Sequence, residues 1–563
     1  MKSPLHRTLP LLGQLGDDYV STGLRGDLTA GLTTAIMLIP QAMAYAMLAG
    51  LEPIVGLYAS TVPLFVYGLL GTSRQLAVGP VAMVSLLVAS GVGAIAGDDL
   101  ATYTALAATL ALMVGAMQWA MGVFKIGFLV KFLSHPVIAG FTSAAALIIG
   151  FSQLKHVLGV PIPRSHHFYE TVLHAIELAP GANPVSLAIS AAAIITLVAL
   201  KRFAPRFPRF LLVVVGGAAA VYGLGLEGTV GIVGDVPSGL PMPTAPSLGL
   251  SDLQALLPTA ITISLVGFME SISVAKNFAR QNRYEVDPDQ ELKALGLANI
   301  FGSVLQAYPV TGGFSRTAVN AQAGARTGVA SIVTGAAVVV TLLFFTPLFY
   351  YLPKAVLASI IMTAVFGLID LREARHLWQV SRPDLAAMAV TFVATLTLGI
   401  EQGILVGVAV SLLWFVWSTS KPHVAVLGRV PGTNIYRNKA RYPDAVLPEG
   451  VVAVRIDAPL YFANTAFLKA TIMDAIDDDT EHLVVDCKAI GSVDAQALST
   501  IEEIIDELTH REIRIWVAGV HGPVRDALAS AHLLDEATRE QMTERVHEAL
   551  DRIEGRALRV VGQ

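Results

Sequence analysis

The stretch AYPVTGGFSRTAVN, Ala307–Asn320, lies inside a long run of apolar segments, yet it carries a proline, a glycine pair, several hydroxyls and an arginine. A proline at 309 and glycines at 312 and 313 break any helix there, and a helical pattern resumes near Ser315. A second stretch of the same kind, SRQLAVGPVAMVSLL (Ser73–Leu87), has an extended start, then Gly79-Pro80, then a helical pattern. Pro80 suits the opening of a helix, where its missing N–H costs nothing. Backbone left unpaired at membrane depth is tolerated only where it lines a cavity. The two broken segments therefore decide both the class of fold and the place to look for its function.

The surrounding composition is that of a membrane protein. The chain of 563 residues is 54% hydrophobic and 14% charged, where soluble domains carry about a quarter charged residues. Its mean hydropathy is +0.62. Apolar runs are expected as fourteen spans, at about 29–47, 53–71, 75–95, 101–121, 132–153, 184–200, 210–225, 253–275, 290–306, 314–326, 329–349, 353–369, 384–399 and 403–418. Fourteen divides into two sevens, and spans 3 and 10, the two broken ones, then hold equivalent positions. Interrupted segments at matching places in two halves point to a transporter site near the bilayer midplane.

Basic residues set the orientation. Arg74, Lys125 with Lys131, the run KRFAPRFPR (Lys201–Arg209), Lys276 with Arg280 and Arg283, Arg326, and Arg372 with Arg375 and Arg382 fall in alternate loops. All lie on one side if the N-terminus is cytoplasmic. The Pro/Gly-rich loops at 154–183 and 226–252 then fall outside, with the histidine pair His166-His167 expected at the surface rather than on a metal. No removable signal peptide is expected. A single cysteine, Cys487, excludes an internal disulfide and a multi-cysteine metal site, and the net charge of -5 argues against a nucleic-acid partner. No cofactor, metal or catalytic group is expected: neither a Walker motif, nor paired catalytic acids, nor metal-ligand spacing occurs.

Composition shifts near Ser418, where charge density rises, as at Asp477, Asp478 and Asp479. The sequence predicts a transmembrane domain over 1–420, a linker over 421–442 and a soluble domain over 443–563, cytoplasmic because the span count is even. In that last part VVAVRIDAPLYFAN, HLVVDCKAI and EIRIWVAGV have strand character. TAFLKATIMDAI, AQALSTIEEIIDELTH and PVRDALASAHL have helix character, so an alternating α/β layer is expected.

Helix N-termini attract anions through free N–H groups and the positive end of the dipole. Two such ends, near Gly79 and Ser315, would form an anion cradle with Arg316 beside it, because a charge at membrane depth marks a functional site by default. The competing role for Arg316 is pairing with a buried acid to hold the two halves together. In span 1, IPQAMAYAMLAG places Gln41 and Tyr45 on one face, after Pro40, which should interrupt the helix. Both side chains can donate to an oxyanion, or equally bond between helices. Span 8, LPTAITISLVGFMESISVAKNF, holds one acid, Glu270, suited either to proton coupling or to a permanent salt bridge with Arg316.

PQAMAYAMLAGLEPIVGLYAS, SRQLAVGPVAMVSLL and the run from Gly267 to Asn320 resemble the sulfate permease family of anion transporters, nearest its proton-coupled sulfate transporters, including the plant branch. The resemblance covers nearly the whole chain. It implies two inverted seven-helix repeats, divided into core and gate domains, a homodimer in the inner cell membrane, and a C-terminal STAS domain. It places substrate between the starts of spans 3 and 10 with contacts from span 1, at Gln41, Tyr45, Val78, Gly79, Phe314, Ser315 and Arg316. It matches Glu270 to the proton-coupling acid of the symporters. Sulfate and protons are the expected partners, with the lipid bilayer as solvent. Bicarbonate or dicarboxylate transport, proton- or sodium-coupled, or anion exchange are the alternatives, and a membrane-anchored STAS regulator is the alternative of another class. Asp494-Ala495-Gln496-Ala497 stands where related anti-sigma antagonists carry a phosphorylated serine, so phospho-switching there is not expected.

Overall fold

The computed structural model describes residues 9–16, 18–96, 99–128, 134–163, 168–204, 207–246, 249–534 and 539–555. Lys131 and the pair His166-His167 lie outside them. Two compact units divide at Ser411/Leu412.

The first unit is a polytopic helical membrane protein whose last helix runs on past the division, and each of the fourteen expected segments meets a helix or a broken helix. Span 1 is Leu24–Leu48, span 2 Pro53–Leu70, span 4 Leu100–Val123 and span 5 His135–Leu158. Span 6 is Pro184–Phe203, span 7 Arg209–Leu224, span 8 Leu250–Gln281 and span 9 Pro288–Val304. Span 11 is Val329–Phe344, span 12 Lys354–Val365, span 13 Arg382–Leu398 and span 14 Ile400–Ser420. Spans 3 and 10 are split. Span 3 pairs a two-residue strand, β1 (Val78–Gly79), with the helix Ala82–Ala96, and span 10 pairs β2 (Thr311–Gly312) with the helix Phe314–Gln322. Span 1 corrects one expectation: its helix runs on through Pro40. In a membrane bundle neighbouring helices and local adjustments offset the hydrogen bond that proline removes.

Packing repeats when the halves are exchanged. Span 4 lies on spans 8 and 9, as span 11 lies on spans 1 and 2. Span 3 lies on span 8 as span 10 lies on span 1, and span 5 packs on span 13 as span 12 packs on span 6. Spans 1–4 and 8–11 thus form one bundle, and spans 5–7 and 12–14 a second. Lipid gives helices no hydrophobic reason to associate, so close approach relies on small residues. Spans 4 and 9 touch at glycines: a Cβ on Gly115 would lie 2.7 Å from the Gly296 carbonyl oxygen.

The second unit builds a six-stranded sheet of order β4-β3-β5-β6-β7-β8. The strands are β3 (Val424–Arg429), β4 (Tyr436–Asn438), β5 (Val451–Ile456), β6 (His482–Asp486), β7 (Arg514–Ala518) and β8 (Met542–Thr543). β5 to β8 run parallel, while β3 is antiparallel to both β4 and β5. Residues 421–442, expected as a linker, therefore supply β3 and β4. The alternation of VAVLGR places Ala425 and Leu427 under the sheet, which is why this segment pairs instead of hanging free. Helices cover both faces. Leu468, Ile472, Ile504 and Leu508 pack on Ile456 and Leu483, and Val546, Ala549 and Leu550 pack on Ala453 and Val484.

Candidate functional site

β1 and β2 cross antiparallel at the centre of the first bundle, with Val78 opposite Gly312 and Gly79 opposite Thr311. Two two-residue strands cannot hold themselves together; polar side chains from neighbouring helices pin them. Asn299 of span 9 accepts from the Val310 amide at 2.8 Å and donates to the Val310 carbonyl at 3.1 Å. Thr317 accepts from the Ala77 amide at 3.0 Å, and Asn320 donates to the Gln75 carbonyl at 2.8 Å. Ser271 of span 8 accepts from the Gly312 amide at 2.8 Å. Because the chain is extended up to Gly313, the helix Phe314–Gln322 begins in mid-bundle, and among the described residues no side chain caps its first turn.

The outer ends of the two segments are fixed by buried carboxylates. Glu291 accepts from Tyr67 Oη at 2.6 Å, from the Thr72 amide at 2.6 Å and hydroxyl at 2.7 Å, and from the Ser73 amide at 3.0 Å, just before β1. Asp27 accepts from Tyr19 Oη at 2.8 Å, the amides of Arg326 and Thr327 at 2.6 and 3.1 Å, and the Thr327 hydroxyl at 2.5 Å, just after the second half-helix. Both acids are fully buried and spent as acceptors.

Arg316 sits differently. It is 1% exposed and donates from Nη1 to the Pro80 carbonyl, yet among the described residues its Nε and Nη2 have no partner. A buried, unpaired guanidinium edge is costly, which marks the crossing as the candidate site. The glycines make room for it: a Cβ on Gly313 would lie 2.9 Å from Nη2, and one on Gly79 3.5 Å from it. Gly79 also has φ +145°, which side chains rarely adopt.

Leu38 of span 1 lies against Gly79, and Gln41 and Tyr45 continue that face of the helix. Gln41 is buried with Oε1 unpaired, and Tyr45 is buried within the electrostatic reach of Arg316 and Glu270. Glu270 and Arg316 also feel one another's charge, but among the described residues no ion pair within 4.0 Å joins them. Of the residues expected at the site, Val78 is buried in the crossing, paired with Gly312, and Gly79 beside it faces Leu38 and Arg316. Phe314 and Ser315 instead occupy an exposed side of the half-helix's first turn, where Phe314 faces Phe278 at 6.4 Å between ring centroids.

Sequence reasoning missed Tyr308, wholly buried beside Arg316 and bonded to Ser85 at 3.1 Å, and the pinning residues Ser271, Asn299, Thr311, Thr317 and Asn320. A signal existed for Tyr308, an aromatic hydroxyl beside Pro309 ahead of the break. The small polar residues give none, since isolated Ser, Thr and Asn occur throughout membrane helices.

Residues 24–391 match the profile of the sulfate permease family, and residues 442–549 that of the STAS domain. The chain belongs to the sulfate permease family. A probable sulfate transporter 4.2 of Arabidopsis thaliana is 40% identical over 93% of this chain and 80% of its own. A probable sulfate transporter of Mycobacterium tuberculosis is 37% identical over 92% of this chain and 93% of its own. The structure of the murine solute carrier 26 family member A9 anion transporter in the inward-facing state superposes with a TM-score of 0.93 at 27% identity, covering 99% of this chain and 95% of that one. This sulfate permease family member is accordingly a multi-pass membrane transporter with a C-terminal STAS domain, not an enzyme.

Proposed function

We propose that the protein imports sulfate by proton symport, holding the anion between the starts of the half-helices of spans 3 and 10. The observation that carries this reading is the Arg316 guanidinium, buried at that crossing with Nε and Nη2 unpaired. A planar edge carrying a full charge suits two oxygens of a tetrahedral oxyanion. The uncapped first turn from Phe314 adds amide donors, Ser315 offers its hydroxyl from the exposed side of that turn, and Gln41 and Tyr45 approach from span 1. Val78 and Gly79 supply backbone on the opposite side.

Sulfate is a dianion, and a negative-inside membrane opposes its entry by about 2.3 kcal/mol per charge per 100 mV. Accumulation therefore needs a driving ion. Glu270 is the acid placed to carry it: unlike Asp27 and Glu291 it is not consumed by a set of donors, and it lies in the field of Arg316. Protonated, it no longer competes with sulfate for that charge. The first bundle then serves as the moving core and the second as the gate, in alternating access. Residues 1–420 carry transport, in the cell membrane with the N-terminus and the STAS domain cytoplasmic, and the protein works as a homodimer.

The test is uptake of labelled sulfate into proteoliposomes. An imposed inward proton gradient should drive accumulation above the external concentration, and unlabelled sulfate should compete better than bicarbonate or dicarboxylates. Accumulation that follows sodium, or that ignores both gradients, would overturn the symport reading.

A further inference from the structure

Ser271 follows Glu270 on span 8, and its hydroxyl meets Thr311 Oγ1 of β2 at 2.5 Å. The direction of every bond around this pair follows from its neighbours. The Gly312 amide can only donate, so Ser271 Oγ accepts from it at 2.8 Å. The Gly267 carbonyl can only accept, so the Thr311 hydroxyl donates to it at 2.6 Å. The remaining hydrogen, on Ser271, is therefore given to Thr311 Oγ1. The bridge is complete, and it fastens β2 to span 8 at two points one helical turn apart, Gly267 and Ser271.

This bridge joins the two elements that carry two groups that should attract. Glu270 precedes it on span 8, and Arg316 follows it in the first turns of the span 10 half-helix. Opposite charges removed from water interact far more strongly than at a surface, and a long arginine could swing to close the gap. Yet Glu270 and Arg316 share a field without forming an ion pair within 4.0 Å. Two restraints account for that. On one side Arg316 Nη1 is held by the Pro80 carbonyl. On the other the hydroxyl bridge fixes where span 10 begins relative to span 8.

We propose that the Ser271–Thr311 bridge is a spacer, which holds the start of span 10 at a set distance from span 8 and keeps Arg316 from closing onto Glu270. Its hydroxyls bond to each other and to backbone, not to Arg316 or Glu270, so both are positioning residues. The proposal rests on the anion-site reading above and adds its regulation. With the bridge intact the guanidinium edge is open to an oxyanion. Without it, Glu270 and sulfate compete for the same edge.

A spacer differs from a mere structural bond in one respect: the damage done by removing it disappears when Glu270 can no longer compete. Sulfate binding to the purified full-length protein is measured for wild type, Thr311→Val, Ser271→Ala, Thr311→Ser, Glu270→Gln, Thr311→Val with Glu270→Gln, and Arg316→Ala, alongside thermal melting. Thr311→Val and Ser271→Ala should each weaken sulfate about tenfold or more, the scale of one lost charge-assisted hydrogen bond. Thr311→Ser, which keeps the hydroxyl, should stay within about twofold of wild type, inside the scatter of independent sites. Adding Glu270→Gln to Thr311→Val should restore affinity to within about threefold of Glu270→Gln alone, the signature of coupled residues. If Thr311→Val does not fold, Ser271→Ala with and without Glu270→Gln carries the same comparison. Undiminished binding in both single variants, or a loss that persists beside Glu270→Gln, overturns the spacer alone. Wild-type binding that survives Arg316→Ala overturns the anion site, and the spacer with it.

Discussion

Replacing Arg316 by alanine and by lysine separates the charge at the crossing from the shape of the group that carries it. The guanidinium has three nitrogens to account for: Nη1 on the Pro80 carbonyl, and Nε and Nη2 unpaired. Charge-assisted hydrogen bonds contribute about 1.5–3 kcal/mol each, so losing two from bound sulfate costs about 3–6 kcal/mol, or roughly a hundredfold to ten-thousandfold in Kd. Lysine keeps the charge, but its compact ammonium cannot present a planar fork. With one bond retained and one lost, Arg316→Lys should weaken binding roughly tenfold to a hundredfold. The assay is sulfate binding to purified protein by calorimetry or scintillation proximity, with size-exclusion profile and melting temperature as controls on folding. The ordering wild type, lysine, alanine is the point of the experiment. A folded Arg316→Ala protein whose Kd stays within about threefold of wild type would refute the reasoning, since a buried guanidinium that held the anion would contribute far more than that.

Glu270→Gln should keep sulfate binding and exchange but abolish uptake driven by a pH gradient; a glutamine protein that still concentrates sulfate on a proton gradient would show that the proton travels elsewhere. Glu291→Ala should destabilise the membrane unit by about 3 kcal/mol or more, because Tyr67, Thr72 and Ser73 lose a shared buried acceptor, and a melting curve in detergent checks this. Ending the chain after Ser420 should spare sulfate binding while removing the whole six-stranded sheet, and total loss of binding would mean that the site is not confined to the spans. Burial pushes the Cys487 thiol up from 9.0 to about 12, so it should resist maleimide at neutral pH in native protein and react once unfolded. By the same shift the STAS domain is stabilised below pH 9.0 relative to higher pH: the unfolded thiol ionises first, and that contribution is lost as pH rises toward about 12.

Much of this arrangement was legible because it depends on residues that break rules. Gly79-Pro80 and Gly312-Gly313 interrupt apolar runs, and Arg316 and Glu270 place charge where charge is expensive, so each stands out from a single sequence. What stayed hidden follows ordinary rules. β1 and β2 are too short to show alternation, and their pairing depends on Ser271, Asn299 and Thr317, which look like any small polar residue in a membrane helix. β3 was hidden by its position after the last span, where connecting chain is the usual expectation, although its buried Ala425 and Leu427 alternate as a strand requires. Pro40 misled in the other direction, since a proline in a bundle need not end a helix. The exposure of Phe314 and Ser315 depends on which way the half-helix faces, a rotation that spacing alone does not determine.

The repetition of packing under exchange of the two halves bears on direction. Span 3 meets span 8 as span 10 meets span 1, and the strands ahead of the two half-helices cross antiparallel. On the proposed reading, the backbone frame around an anion at that crossing is nearly the same from either face of the membrane, while Arg316 and Glu270 travel with the anion in either direction. Such a seat has no built-in inward or outward sense. It works as a turnstile without a ratchet, and which way sulfate flows is decided by the gradients the cell maintains.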